Sequence, residues 1–109
     1  MAHDVIRFTG KDIKNARSSA VTKAWQIEFN NVANGGSEIS RTWSKSEIDE
    51  LLTNGKVRGY QGHHMKRVKG YPHLAGDPYN IQFLTPLEHL KAHRGNYRNI
   101  THGRYLFGD

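Results

Sequence analysis

No cysteine occurs among the 109 residues, so no disulfide braces this chain. Apolar residues are scarce as well: 36% of the sequence is hydrophobic and the mean hydropathy is −0.76, which leaves material for one thin core. No stretch approaches the roughly 18 consecutive apolar residues that a membrane helix requires. The opening Met1-Ala2-His3-Asp4 lacks the charged-then-apolar layout of a signal peptide, although the chain could still be the tip of a larger protein. Internal repeats and low-complexity runs are absent too. A single domain over residues 1–109 is the expectation. A thin core without disulfides usually needs another staple, and seven histidines make a metal ion the candidate.

Acidic residues are missing from one half in particular. Residues 1–55 carry seven Lys/Arg and seven Asp/Glu, whereas residues 56–109 carry nine Lys/Arg against Asp77, Glu88 and Asp109. The whole formal charge of +6 therefore sits in the half that also holds six of the seven histidines. A concentrated basic surface is the footprint of a polyanion site, and charge alone fits a solvated face equally well.

The pattern predicts three helices and a hairpin. The first helix is expected over about residues 16–30, where Val21, Trp25 and Phe29 recur every fourth residue beside Ala20, Ala24 and Ile27. Asn34-Gly35-Gly36-Ser37 interrupts the chain. Ser44 followed by Glu47 is a capping box for a second helix, with Trp43 and Ile48 as its hydrophobic staple and Gly55 as its stop. Neither helix shows residues with evident chemistry. Val57–Val68 reads as extended chain interrupted by Gly59 and Gly62, Gly70–Tyr79 as a loop, and 80–84 as a short strand alternating polar and apolar. Thr85, Pro86 and Glu88 open a third helix that Gly95 ends after Arg94.

That helix carries His89 and His93, four residues apart and so on one face, within reach of a single metal ion. Leu87 and Leu90 are expected to pack inward on the other side. The same spacing also suits two histidines that merely hydrogen-bond. His63-His64 adds a second pair, but consecutive strand residues face opposite ways, so both serve one site only if the strand bends or bulges, for which Gly59 and Gly62 are suitable. A solvent-exposed dipeptide is the plainer reading of that pair.

Residues 59–95, GYQGHHMKRVKGYPHLAGDPYNIQFLTPLEHLKAHRG, resemble the HNH/ββα-metal nucleases, and within them the GHH type found as toxin domains of polymorphic bacterial toxins and secretion-system effectors. Nuclease colicins share the His-His pair, the Asn, and a final H-x-x-x-H followed by Arg-Gly. With the lead-in from Trp43 to Val57, the resemblance covers roughly residues 40–100. It implies an α+β fold: a ββα-metal hairpin-and-helix motif in residues 56–109 with a basic tail, supported by two N-terminal helices in residues 1–55.

The resemblance also implies roles. His63, His89 and His93 are metal ligands, His64 is the general base, and Asn80 holds the loop that orients His64. Three imidazoles with an open position resemble a catalytic zinc site, and relatives also work with magnesium, manganese or nickel. Gln61 stands where colicin relatives place an acid near the base, so the group that orients His64 is open, with Asp77 as a candidate. One divalent metal would neutralise the scissile phosphate and stabilise the departing 3′ oxygen, and an imidazole with an ordinary pKa near 6.5 suits water activation. Arg94 is the first choice for a phosphate clamp, with Arg67, Lys66, Lys69 and Arg98 around it. Contacts of that kind read backbone, so cleavage with little sequence specificity is expected.

The implied function is a metal-dependent DNA endonuclease acting as an antibacterial toxin. It would be made in the bacterial cytoplasm without a signal peptide, delivered into a target cell, and countered by an acidic immunity protein. No membrane partner or small-molecule cofactor is expected. RNA cleavage by the same fold is one rival. Another is a non-catalytic zinc-stabilised nucleic-acid-binding module, in which His64 would be a fourth, closing ligand. His3, His73 and His102 match no motif position and are read as surface histidines.

Overall fold

The computed structural model describes residues 10–36, 40–101 and 103–107; His3 and His102 lie outside them. The elements run α1 (Gly10–Ala33), α2 (Lys45–Asn54), β1 (Gln61–His64), two single 3-10 turns (Pro72–Leu74 and Pro78–Asn80), β2 (Ile81–Leu84) and α3 (Pro86–Ala92). β1 and β2 form an antiparallel pair in which His63 faces Gln82 and His64 faces Ile81. Strand, loop, strand and short helix thus follow one another as an α+β unit behind two helices. No helix among the described residues is long and apolar enough to cross a membrane.

α1 begins earlier and ends later than the apolar spacing predicts. Its buried line is Ala20, Ala24 and Glu28, while Val21, Trp25 and Phe29 flank the core half-buried. Small residues on that line let the helix approach the hairpin closely, and the Trp25 ring stacks on Phe83 with centroids 3.7 Å apart. Trp43, Leu51, Val57 and Ile81 complete this core. Glu28 is admitted because its carboxylate accepts from Trp43 Nε1 at 2.6 Å and from the Ser40 amide at 3.0 Å.

The second helix follows its signals. Ser44 and Glu47 form the reciprocal capping box, Trp43 and Ile48 join the core, and Gly55 adopts φ 79°, a left-handed cap that donates to the Leu51 carbonyl.

The expected long strand over 57–68 shrinks to four residues. A turn at Gly59 (φ 87°) precedes it. After His64 the Met65 amide still donates to the Asn80 carbonyl, but the Lys66 amide turns to the Asn80 side-chain oxygen at 2.9 Å, so a side chain replaces the ladder. Nor is there a bulge in β1; its register is regular. Gly62 serves a different need: a Cβ there would stand 2.6 Å from Val21 Cγ2, so glycine permits α1 to lie across the strand.

β2 does not alternate in burial. All four of its residues are buried, Gln82 included, because the 103–107 segment covers the face left open by α1. Gln82 donates to the Tyr105 carbonyl at 2.9 Å and accepts from the Tyr105 amide at 2.7 Å. Asn80 belongs to the preceding 3-10 turn rather than to the strand.

α3 has the expected capping box of Thr85 and Glu88 and opens on Pro86, but it stops at Ala92. His93 is its cap, and Arg94 (φ 54°) and Gly95 (φ 84°) are both left-handed beyond it. Leu87 is 61% exposed, contrary to the inward packing expected of it, and Leu90 is only half-buried. Instead, Glu88 anchors the helix: it pairs with Arg41 at 2.8 Å, and Arg41 also donates to the Phe83 carbonyl.

Candidate metal centre and catalytic cleft

The strand register, the turn at 65–66 and the first turns of α3 bring three imidazoles together. Ring centroids are 5.0 Å apart for His63 and His89, 5.4 Å for His63 and His93, and 5.0 Å for His89 and His93. Each offers a nitrogen within 4.8 Å of the others. His63 is buried and its Nε2 has no hydrogen-bond partner among the described residues, an uncompensated polar atom that a metal ion would satisfy.

The outer nitrogens of the other two rings are occupied. His89 Nδ1 lies 2.8 Å from Gln61 Oε1, and His93 Nδ1 lies 2.8 Å from the Asn99 carbonyl oxygen. Both partners are oxygens, so each Nδ1 carries the proton and each Nε2 keeps its lone pair for a metal ion. Burial first, and then the neighbouring histidines, hold His63 down to about pKa 4. His89 is lowered by burial and by His93. Both shifts favour the neutral imidazole, the form that coordinates a metal. The donor set therefore fits a divalent ion of borderline softness with an open position.

His64 points the other way from β1, as strand alternation requires, and stands apart from the three-histidine group. Its Nε2 lies 3.0 Å from the Ala75 carbonyl oxygen. That oxygen only accepts, so Nε2 is protonated and Nδ1 is the basic nitrogen. Burial lowers the pKa of His64, the Ala75 contact raises it, and the charge of Arg17 lowers it.

The orienting group sought in the sequence is thus a backbone carbonyl. Asp77 caps the turn before β2 by accepting from the Tyr79 amide, and Gln61 holds His89. Asn80 ties the arrangement together. Buried, it accepts from the Lys66 amide and donates to the carbonyls of Lys66 at 3.1 Å and Leu74 at 3.4 Å. Through Leu74 it steadies the loop whose next carbonyl, at Ala75, holds His64.

A cleft of about 470 Å³ contains all four histidines. Arg17, Arg67, Lys69 and Arg98 line it and, among the described residues, no carboxylate does, so the charged groups of its lining are positive. Arg94 and Lys66 are not on that lining. Arg94 turns away past the helix end and donates to the Ile100 carbonyl, and Lys66 Nζ lies 5.1 Å from the Tyr71 ring centroid. His73 is exposed against Tyr71, apart from the cluster. Arg17 and Tyr97 line the cleft without any signal in the linear motif, since α1 is far away in sequence and Tyr97 follows the last motif residue.

Comparisons with known proteins agree with this geometry. Residues 9–85, more than two thirds of the chain, match the family described as GHH signature containing HNH/Endo VII superfamily nuclease toxin, a match that ends just before α3. Among curated proteins, mouse teneurin-3 is 41% identical over 76 residues, covering 70% of this chain. The Drosophila melanogaster teneurin-m is 32% identical over 99 residues (89% of this chain), and human teneurin-4 is 36% identical over 73 residues (67%). The chain spans only 3–4% of the length of these relatives. With the Gly62-His63-His64 signature seated in β1 and three imidazoles gathered around one point, the chain belongs to the GHH-signature family of HNH/Endo VII superfamily nuclease toxins.

Proposed function

We propose that this chain is a metal-dependent endonuclease that hydrolyses phosphodiester bonds of DNA with little sequence specificity. The observation that carries the reading is the pairing of two differently prepared sites on one strand. His63, whose buried Nε2 has no partner among the described residues, joins His89 and His93 with their free Nε2 lone pairs, while neighbouring His64 is fixed with Nδ1 as a base.

In this reading His63, His89 and His93 hold the ion. Zinc suits three imidazoles best, with magnesium, manganese or nickel as other occupants. When bound, the ion supplies charge neutralisation at the scissile phosphate and at the departing 3′ oxygen. His64 Nδ1 takes a proton from the attacking water, the water oxygen bonds to phosphorus, and the bond from phosphorus to the 3′ oxygen breaks. The electron pair of that bond stays on the oxygen, which takes a proton from solvent and leaves as a 3′ hydroxyl. Ala75 keeps the His64 ring in the tautomer that leaves Nδ1 free, and Asn80 keeps Ala75 in place. Gln61 and the Asn99 carbonyl fix His89 and His93 from outside. Arg67, Lys69 and Arg98 hold flanking phosphates without reading bases.

The family's description as nuclease toxin supports a toxin role. Residues 1–109 then act as one domain, released in the cytoplasm of a target cell, and the producer carries an immunity protein whose acidic face covers the cationic cleft. The test is direct. Supercoiled plasmid and a mixed-sequence RNA are incubated with purified protein, with zinc, with magnesium, and with a chelator. Metal-dependent nicking of plasmid ahead of RNA is the expected result. RNA cleavage alone would replace the substrate, and metal-dependent binding without any cleavage would leave only a binding module.

A further inference from the structure

Seven arginines lie among the described residues, and they divide by location. Arg41, Arg58, Arg94 and Arg104 each give a side-chain hydrogen bond or ion pair inside the chain. The guanidinium groups of Arg17, Arg67 and Arg98 give none among the described residues, and these are the three that line the histidine cleft. Guanidinium donors without a partner among the described residues, gathered on a cleft where those residues place no carboxylate, are suited to planar, doubly hydrogen-bonded recognition of phosphate. Arg67 and Arg98 sit in the basic half beside the motif. Arg17 comes from the first helix, in the half whose formal charge is zero.

Packing decides where Arg17 stands. It lies one turn before Val21, which rests over Gly62, and next to Ala16, whose Cβ would be 3.6 Å from a Cβ at Gly76. That stretch of α1 therefore crosses β1 and the loop containing Ala75, on the side of His64. Arg17 lines the cleft together with Gly62 and His64, which share one face of β1.

We propose that Arg17 is a substrate-binding residue that grips a backbone phosphate adjoining the scissile bond on the His64 side of the cleft. The substrate strand then runs between α1 and the segment carrying Arg67 and Lys69, so the N-terminal helix is one wall of the nuclease site and not only its support. The contact persists from bound substrate to transition state, so its loss raises KM more than it lowers kcat. This inference rests on the nuclease reading.

The experiment compares wild type, Arg17→Ala, Arg17→Lys and Lys11→Ala, the last an exposed cation near the start of the same helix and off the cleft. Each is assayed for plasmid cleavage, for melting temperature and for bound zinc. In a His64→Ala background each is also titrated against a fluorescein-labelled 20-base-pair duplex DNA at several salt concentrations. Arg17→Ala should weaken duplex binding about tenfold, as the loss of one charge-assisted hydrogen-bonded contact implies, and flatten the log–log salt slope by about one. The loss in kcat/KM should be of similar size and expressed in KM, with zinc content and melting temperature unchanged. Arg17→Lys should recover most of the binding, and Lys11→Ala should stay within about twofold of wild type, since it lies off the phosphate path. A wild type that cuts while Arg17→Ala behaves like Lys11→Ala overturns the role of Arg17 and leaves the nuclease intact. So does a loss accompanied by lowered melting temperature that Arg17→Lys fails to rescue. A wild type that neither binds nor cuts overturns both readings.

Discussion

Gln61 and His89, 28 positions apart in sequence, meet at 2.8 Å through Oε1 and Nδ1. The contact joins the first residue of β1 to the middle of α3 and sets which His89 nitrogen faces His63 and His93. Replacing Gln61 by Ala should therefore weaken metal affinity by roughly 10- to 100-fold, the usual cost of losing a partner behind a ligating histidine. Gln61→Glu keeps an acceptor and should bind metal at least as tightly as wild type. Competition titration with a zinc-binding dye measures both; equal affinities for all three proteins would remove Gln61 from the metal site.

His64→Ala should lower plasmid nicking by about 100- to 10,000-fold, the range expected for a general base, while metal content stays near wild type. Asn80→Asp should show a smaller loss of the same kind, because a carboxylate cannot donate to the Lys66 and Leu74 carbonyls and the Ala75 support loosens. Nicking rate and zinc content are read on one preparation. A His64→Ala protein that cuts within a few fold of wild type would remove the base from the mechanism.

His63 makes the apoprotein sensitive to acid. Its folded-state pKa is held near 4, whereas the unfolded imidazole protonates near 6.5. Between those values the unfolded chain binds the extra proton, so stability falls as pH drops from about 6.5 to 4 and this contribution levels off below. With chelator present, melting temperature should follow that slope in wild type and flatten in His63→Gln.

Metal should act as the missing staple. Zinc at 100 times its dissociation constant stabilises a folded-state site by about 2.7 kcal/mol, a rise in melting temperature on the order of 10 °C for a chain of this size. His89→Ala and His93→Ala should lose most of that rise together with activity. Calorimetry with zinc and with chelator makes the comparison, and equal wild-type melting temperatures would argue against the ion as a structural brace.

Gly62→Ala tests the approach of α1 to β1. The added Cβ would stand 2.6 Å from Val21 Cγ2 and 3.1 Å from Cγ1, so helix or strand must give way, at about 1–3 kcal/mol. Val21→Ala removes both clashing methyl groups, and the double variant should be more stable than the sum of the single losses predicts. Urea denaturation of the four proteins closes the cycle. Additive losses would mean that the two residues do not press on one another.

The local elements were legible because their causes are local. Capping boxes at Ser44 and Thr85, Pro86 at a helix start and Gly55 at a helix end are each satisfied within a few residues, and each formed as read. The four-residue spacing of His89 and His93 likewise survives even though His93 has become the cap, since one helical turn sets it. Lengths were less legible. β1 stops at His64 because the Asn80 side chain captures the Lys66 amide, and β2 is buried throughout because Tyr105 pairs with Gln82 from 23 positions away.

The sequence by itself determined the one-turn spacing of His89 and His93, the opposed pair His63 and His64, and the charge imbalance between halves, since these follow from residue type and the periods of helix and strand. Only the tertiary structure decided which side chains serve them. Gln61 turns to His89 and leaves His64 to a backbone carbonyl that no side-chain pattern reveals. Arg94, adjacent to the motif, faces elsewhere because a left-handed backbone follows the helix, while Arg17, remote in sequence, reaches the cleft because glycine at 62 lets its helix lie against the strand. Hydrogen bonds to the backbone and helix-to-strand approach depend on chain closure over long separations, and that information appears only once the chain is folded.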